Sequence, residues 1–398
     1  MGKVNYIFIL ILLSVKFWNI NPIGTMISGD AIMILTLLFL IYGYVKYRNE
    51  STLSLWSPEL KLWRYLVLGV FLSMIPAYLF YSQSLKISIM TYRANVLWFV
   101  IPVMMRVSPS LDELQMVFKR LMICLFCIYL CKMFFPGMFY VEERKLEIME
   151  FLESDEISFL GYIFMSTLMF ICFQKMKDYF TFDTFSLCFL AYVVIFLASN
   201  RSTLFPMTLL FGFTLFYIRS RYKLPILLVL AIMFIFAAIY TSETWSSLID
   251  ETTTQMDNSE YNRNKAYEYF ISPLAHPSWL TYLLGNGFLS SHTTSLKADL
   301  MEIGIHNSDL GLVGFWHEFG IIPIATIIIT IFIPLVRWNN YSWRIKMYAL
   351  FLIAISLTLA YYGSFMMKLF YTFYYYLLFN DKKLQQDEIL SDNTSLQG

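Results

Sequence analysis

Long apolar runs and short polar breaks alternate along most of this chain. A helix crosses bilayer hydrocarbon with about 20 apolar residues, or somewhat fewer when flanking groups snorkel. By that measure the pattern predicts spans near 4–18, 28–45, 64–81, 85–105, 119–135, 157–174, 182–199, 203–218, 224–241, 310–336, 345–362 and 365–379. The expected fold is all-α, a polytopic membrane helix bundle of about 12 transmembrane helices, with 1–398 as a single integral membrane domain. One long polar excursion, 242–309, breaks the series and is expected to contain short helices. A shorter acidic segment, 136–156, carries the run VEERKLEIMEFLESDE and reads as a solvated amphipathic helix. The first apolar run is short and follows Lys3, in the manner of a signal sequence. Only SVKFWNINP comes after it, with no small-residue cleavage site, so it is expected to stay as a helix.

Composition agrees with the pattern. The chain is 58% hydrophobic and 14% charged, where soluble domains carry about 25% charged residues. A net charge of +1 with no basic run gives no reason to expect a nucleic-acid partner. Cys124, Cys127, Cys131, Cys172 and Cys188 all fall in apolar stretches. No disulfide framework is therefore expected to hold the long loop, and these thiols read as small hydrophobes.

Basic residues flanking the spans set the orientation. With the N-terminus inside, the inside segments hold 18 of the 29 basic residues and the outside segments nine, with Arg93 and Lys132 left within spans. Both termini are then cytoplasmic, and the loop 242–309 lies on the outer, extracytoplasmic face. No internal repeat is visible, whereas carriers commonly pair two related halves. One large outer loop in one half only favours an enzyme working at the membrane surface.

Candidate chemistry concentrates in and around that loop. The stretch Gly285–Pro323 holds His292, His306 and His317, three of the four histidines. Arg201 opens a span on the outer side, against the prevailing charge bias. It reads either as a snorkelling arginine or as a fork that grips phosphate, with Asn200 beside it as a further donor. Arg263, in YNRNKAYEYF, shares a helical face with Tyr267 and Phe270, where an arginine meets an anion or an acidic partner. His306 precedes Asn307, Ser308 and Asp309, all helix-capping types, yet an imidazole at the outer mouth of a span suits a general base. His317 and Glu318 follow within the next apolar run, and intramembrane ionisable groups usually face the protein interior or a water-filled cavity. Lys86 and Arg93, seven residues apart, are placed on one helical face, where they either line a path for a charged head group or pack against an acidic neighbour. No Asp-x-Asp pair occurs in the chain, so arginines would take the role a divalent cation plays on sugar diphosphates.

Taken in order, Asn200-Arg201-Ser202, Arg263 to Tyr267, Gly285-Asn286-Gly287-Phe288, His306-Asn307 and Glu318-Phe319-Gly320-Ile321-Ile322 form a set. This set resembles the O-antigen ligase and O-antigen polymerase superfamily of bacterial membrane glycosyltransferases. The resemblance covers roughly 180–335. It departs at Asp309, where an aromatic is more usual, and at Pro323, where glycine is. The resemblance implies an undecaprenyl-diphosphate-linked glycan as donor, Arg201 and Arg263 holding the leaving diphosphate, and His306 as the base. Asn200, Asn307, Arg93, Lys86 and Glu318 complete the candidate substrate-binding set, with no metal and no cofactor. The setting implied is the bacterial cytoplasmic (inner) membrane, with the bilayer, a chain-length regulator and a flippase as partners. The activity expected is surface polysaccharide (O-antigen or capsule) repeat-unit polymerisation. The alternatives are ligation to a lipid A-core and, less favoured, polysaccharide export or flipping.

Overall fold

The computed structural model describes residues 1–14, 29–50, 54–134, 160–197, 201–218, 266–272, 275–289, 310–358 and 362–395. Among these, every regular element is helical. In chain order they are α1 (Lys3–Ser14), α2 (Gly29–Lys46), α3 (Lys61–Leu72), α4 (Met74–Tyr81), α5 (Leu85–Tyr92), α6 (Val100–Val107), α7 (Leu111–Phe134) and α8 (Ile163–Asp178). There follow α9 (Phe182–Leu197), α10 (Arg201–Tyr217), α11 (Trp279–Leu284), α12 (Gly311–Phe319), α13 (Ile321–Val336), α14 (Trp343–Thr358) and α15 (Phe365–Ser395). Two stretches, Pro58–Tyr81 and Leu111–Cys131, are long and apolar enough to cross a bilayer, and a third is added if Leu85–Tyr92 and Asn95–Val107 form one bent span. Five shorter apolar helices accompany them.

Two helices are buried nearly all round and form the centre. In α8, every residue from Ile163 to Phe173 is buried, and in α15 so is the run from Met367 to Leu378. A helix apolar on every face belongs inside a bundle, with one-sided helices around it. The one-sided pattern is plain in α3, which buries Trp63, Leu66, Gly69 and Val70 and exposes Tyr65, Leu68 and Phe71. Burying a tyrosine hydroxyl costs free energy unless it is bonded, and on α15 those of Tyr374, Tyr375 and Tyr376 are bonded while the Tyr371 hydroxyl makes no hydrogen bond among the described residues. Tyr374 donates to the Thr330 carbonyl at 3.0 Å and Tyr375 to that of Glu59 at 2.6 Å. Tyr348, on α14, likewise donates to Phe370 O at 2.8 Å.

Three expectations change. The run 310–336 is not one helix: α12 and α13 meet at Gly320, whose φ is +79°. The run 85–105 bends by 58° near Arg93. Apolar content alone cannot reveal such breaks, because both sides of each break are equally hydrophobic. The last helix runs on from the expected 365–379 to Ser395. In addition, α12 starts after Leu310, and the expected capping residues Asn307, Ser308 and Asp309 lie outside the described residues.

One end of the bundle gathers basic residues that the charge count placed inside. Lys3 and Lys383 both reach Ser108, at 3.4 and 3.1 Å. Arg106 donates to Tyr44 O at 3.2 Å. Nearby, Asp381 accepts from Ser342 N at 2.7 Å, Ser342 Oγ at 2.6 Å, Arg344 Nη2 at 3.0 Å and Gln385 Nε2 at 2.9 Å. Gln174 Oε1 accepts from Trp343 N at 2.6 Å and Arg344 N at 3.3 Å. The opening amides of α14 are therefore taken up by side chains of α8 and α15, as a helix N-terminus requires.

Candidate functional site

The segment around Gly285, read as part of the outer loop, is built into the bundle. Ser278 caps α11 by accepting from Leu280 N at 3.3 Å, and Gly285 closes it in a left-handed conformation, φ +80°. The chain then runs against the end of α12. Asn286 N donates to His317 O at 2.7 Å and Gly287 N to Glu318 O at 2.8 Å. A Cβ at Gly285 would lie 2.3 Å from Glu318 O, and one at Gly320 2.3 Å from Leu283 O. Glycine on both sides lets the two backbones touch, so two pieces of the motif set, Gly285–Phe288 and Glu318–Ile322, form one joint.

Side chains lock this joint. Asn286 is fully buried; its Nδ2 donates to Ala275 O at 2.8 Å and to His317 Nε2 at 2.7 Å, and its Oδ1 accepts from Tyr81 OH at 3.0 Å. With Nε2 accepting, the neutral His317 carries its proton on Nδ1. Phe288 N donates to Tyr92 OH at 3.0 Å, and Tyr92 shares a 2.5 Å hydrogen bond with Ser73. Gln83 Nε2 and Thr91 Oγ1 both donate to Phe288 O at 3.2 Å. These partners come from the α3–α4 junction, the turn between α4 and α5, and the end of α5 beside the bend, so the joint sits where helices are interrupted.

An aromatic box surrounds the two histidines. His276 stacks on Tyr282 at 4.0 Å and leans on Trp316 at 5.0 Å, while Trp316 Nε1 donates to Tyr282 O at 3.1 Å. His317 meets Phe270 edge-on at 4.4 Å and lies 5.5 Å from His276. His276 Nε2 donates to Phe270 O at 3.0 Å. Nδ1 of both histidines is buried and makes no hydrogen bond among the described residues. Burial pushes the His276 imidazole below its ordinary value, opposed by the Phe270 carbonyl.

Of the sequence-derived site residues, Glu318 is buried at the joint, 3% exposed. It lies within electrostatic reach of Tyr92 and of Lys368, itself 1% exposed near the start of α15. Lys86 and Arg93 are exposed, Lys86 on α5 and Arg93 directly after it, where the 58° bend begins. Arg201 is the first residue of α10, its side chain outside the described residues. Asn200, Arg263, His306 and Asn307, with His292 and Asp309, lie outside the described residues. Phe270, expected on one face with Arg263, is fully buried. Two residues at the joint, His276 and Tyr81, were not singled out, and Asn286 was read only as part of the Gly285–Phe288 motif. The amide between two glycines in GNG was the available sign, because a buried amide in such a turn must be fully bonded. Lys368 was visible too, as a cation in an apolar run, and was counted only as a flanking charge.

No protein-family model matches the chain, and no curated protein matches it.

Proposed function

We propose that this protein is a membrane glycosyltransferase that uses a polyprenyl-diphosphate-linked glycan, working as a surface polysaccharide repeat-unit polymerase. The ordered motif set supports the reading, and one observation carries it furthest. Its glycine-rich piece and its Glu-x-Gly-Ile-Ile piece, 30 residues and more apart in sequence, are hydrogen-bonded as one joint through Asn286–His317 and Gly287–Glu318. His306 lies in the segment between the two halves of that joint. In the reaction proposed, His306 takes the proton of the acceptor hydroxyl. The oxygen attacks the anomeric carbon, the bond from that carbon to the diphosphate oxygen breaks, and the lipid diphosphate leaves with its charge held by Arg201 and Arg263. Direct displacement inverts the anomeric centre. Bond energy comes from the diphosphate, so the proposal needs no metal and no nucleotide outside the cell. It places the twelve spans in the inner membrane, with both termini cytoplasmic and 242–309 outside.

The test is glycan incorporation from lipid-linked donor by Arg201→Ala, Arg263→Ala and His306→Ala, each expected to lose activity by at least about 100-fold. Near-normal incorporation by all three would reject the site. A lipid A-core acceptor supplied in place of lipid-linked repeats separates the ligase alternative. A second class, an exporter or flippase, is favoured by one observation: interrupted helices at Gly320 and near Arg93 beside the buried Glu318 and Lys368. Movement of labelled lipid-linked glycan across proteoliposomes without acceptor is the outcome that class requires.

A further inference from the structure

At the basic end of the bundle, two lysines are brought together at a corner between α8, α13 and α14. Lys177 lies over the Trp343 ring at 4.8 Å, and Lys346 over the Trp338 ring at 4.9 Å. The two indoles meet edge to face at 6.3 Å. Lys346 is only 7% exposed and lies within electrostatic reach of both Lys177 and Asp381. The Asp381 carboxylate is already bonded to Arg344. A ring face attracts an ammonium but does not cancel its charge, so two like charges sit side by side at the edge of an apolar body. Arg337, exposed, precedes Trp338 directly. On α13, Ile328, Phe332 and Val336 are 38%, 46% and 80% exposed and form one stripe that leads down to Trp338.

We propose that this corner binds an anionic phospholipid of the adjacent leaflet, its phosphodiester between Lys177 and Lys346 and its acyl chains along the α13 stripe. A phosphodiester supplies the negative charge that the lysine pair lacks. The stripe supplies apolar surface continuous with the head-group position, which a free phosphate would not use. Tryptophans at this level match the boundary between head groups and hydrocarbon. Basic pockets between helices at the inner face are the sites where anionic head groups bind. The inference rests on the chain crossing a bilayer and is independent of glycosyl transfer.

Native mass spectrometry of the full-length protein, titrated with phosphatidylglycerol or with phosphatidylcholine of the same chains, tests it. The wild type is expected to retain phosphatidylglycerol preferentially. Each lysine removed should lower that retention about fivefold, so Lys177→Gln/Lys346→Gln should fall to the phosphatidylcholine level. Lys346→Arg should keep most of it, and Lys119→Gln, an exposed lysine elsewhere on α7, should change nothing. If the double variant does not fold, Lys177→Gln alone carries the comparison. Equal retention of the two lipids, no change in the lysine variants, or loss of the phosphatidylglycerol preference when inorganic phosphate is added at the same concentration would overturn the proposal.

Discussion

The two ends of the bundle bury polar groups in opposite ways. At the basic end, a carboxylate and a guanidinium meet at 3.0 Å with both side chains within 1% of full burial, and the carboxylate also draws bonds from Ser342 and Gln385. That cluster ties the start of α14 to α15 with side chains. At the other end, the Gly285–Phe288 turn and the end of α12 are joined mainly by backbone, through glycines. Two imidazole nitrogens there stay open among the described residues. Side-chain closure fixes a helix end by drawing four bonds onto one carboxylate. Backbone closure instead lets two chain segments touch at a pair of glycines, with the side-chain network of Asn286 and Tyr92 set around the contact.

The largest effect should come from breaking the basic end. Asp381→Ala strands Arg344 in an apolar interior and is expected to cost about 3–5 kcal/mol. A thermal melt in detergent reads this, and the paired change Asp381→Leu/Arg344→Met should recover much of the loss. A single variant as stable as wild type would contradict the burial argument. Next, Gly320→Ala sets a Cβ 2.3 Å from Leu283 O at φ +79°. The strain expected is about 1–3 kcal/mol or more, and unlike Asp381→Ala it should open the joint before the rest. Hydrogen exchange would show Gly285–Phe288 losing protection while α14 keeps it.

Asn286→Leu is milder still. It leaves the Ala275 carbonyl and His317 Nε2 without their donor and Tyr81 OH without its acceptor, about 1–3 kcal/mol, again confined to the joint. The smallest effect is that of pH. Because His276 is held below its ordinary value, its neutral form belongs to the folded state. The stability this contributes is complete above about pH 6.5 and is lost as pH falls below it. Protection of 275–288 should drop on acidification, and His276→Phe should weaken that dependence. An identical acid response at both ends would remove the contrast.

Much of the framework was readable in advance. The runs 28–45, 182–199 and 345–362 match α2, α9 and α14 to within four residues at each end, because a helix satisfies the backbone of a sustained apolar run within the run itself. The basic residues assigned to one side do meet, as Lys3 and Lys383 at Ser108 show. In the joint, GNGF and HEFG were both noticed as motifs, but their contact was not. Hydropathy does not say that Gly320 must turn left-handed, since the reason is the Leu283 carbonyl against it.

The amino-acid sequence by itself determined the helical character of the described residues, the presence of helices apolar enough to cross a bilayer, the apolar faces and the glycines that permit a close crossing. Those follow from local composition and period, which act within a few turns of chain. Only tertiary structure decided that Asn286 bonds to His317, that Asp381 receives Arg344, and that Lys177 and Lys346 share a corner. Each pairs residues 30 or more positions apart. Such pairings depend on how helices pack, and packing is settled by the shapes and unmet hydrogen bonds of both partners together.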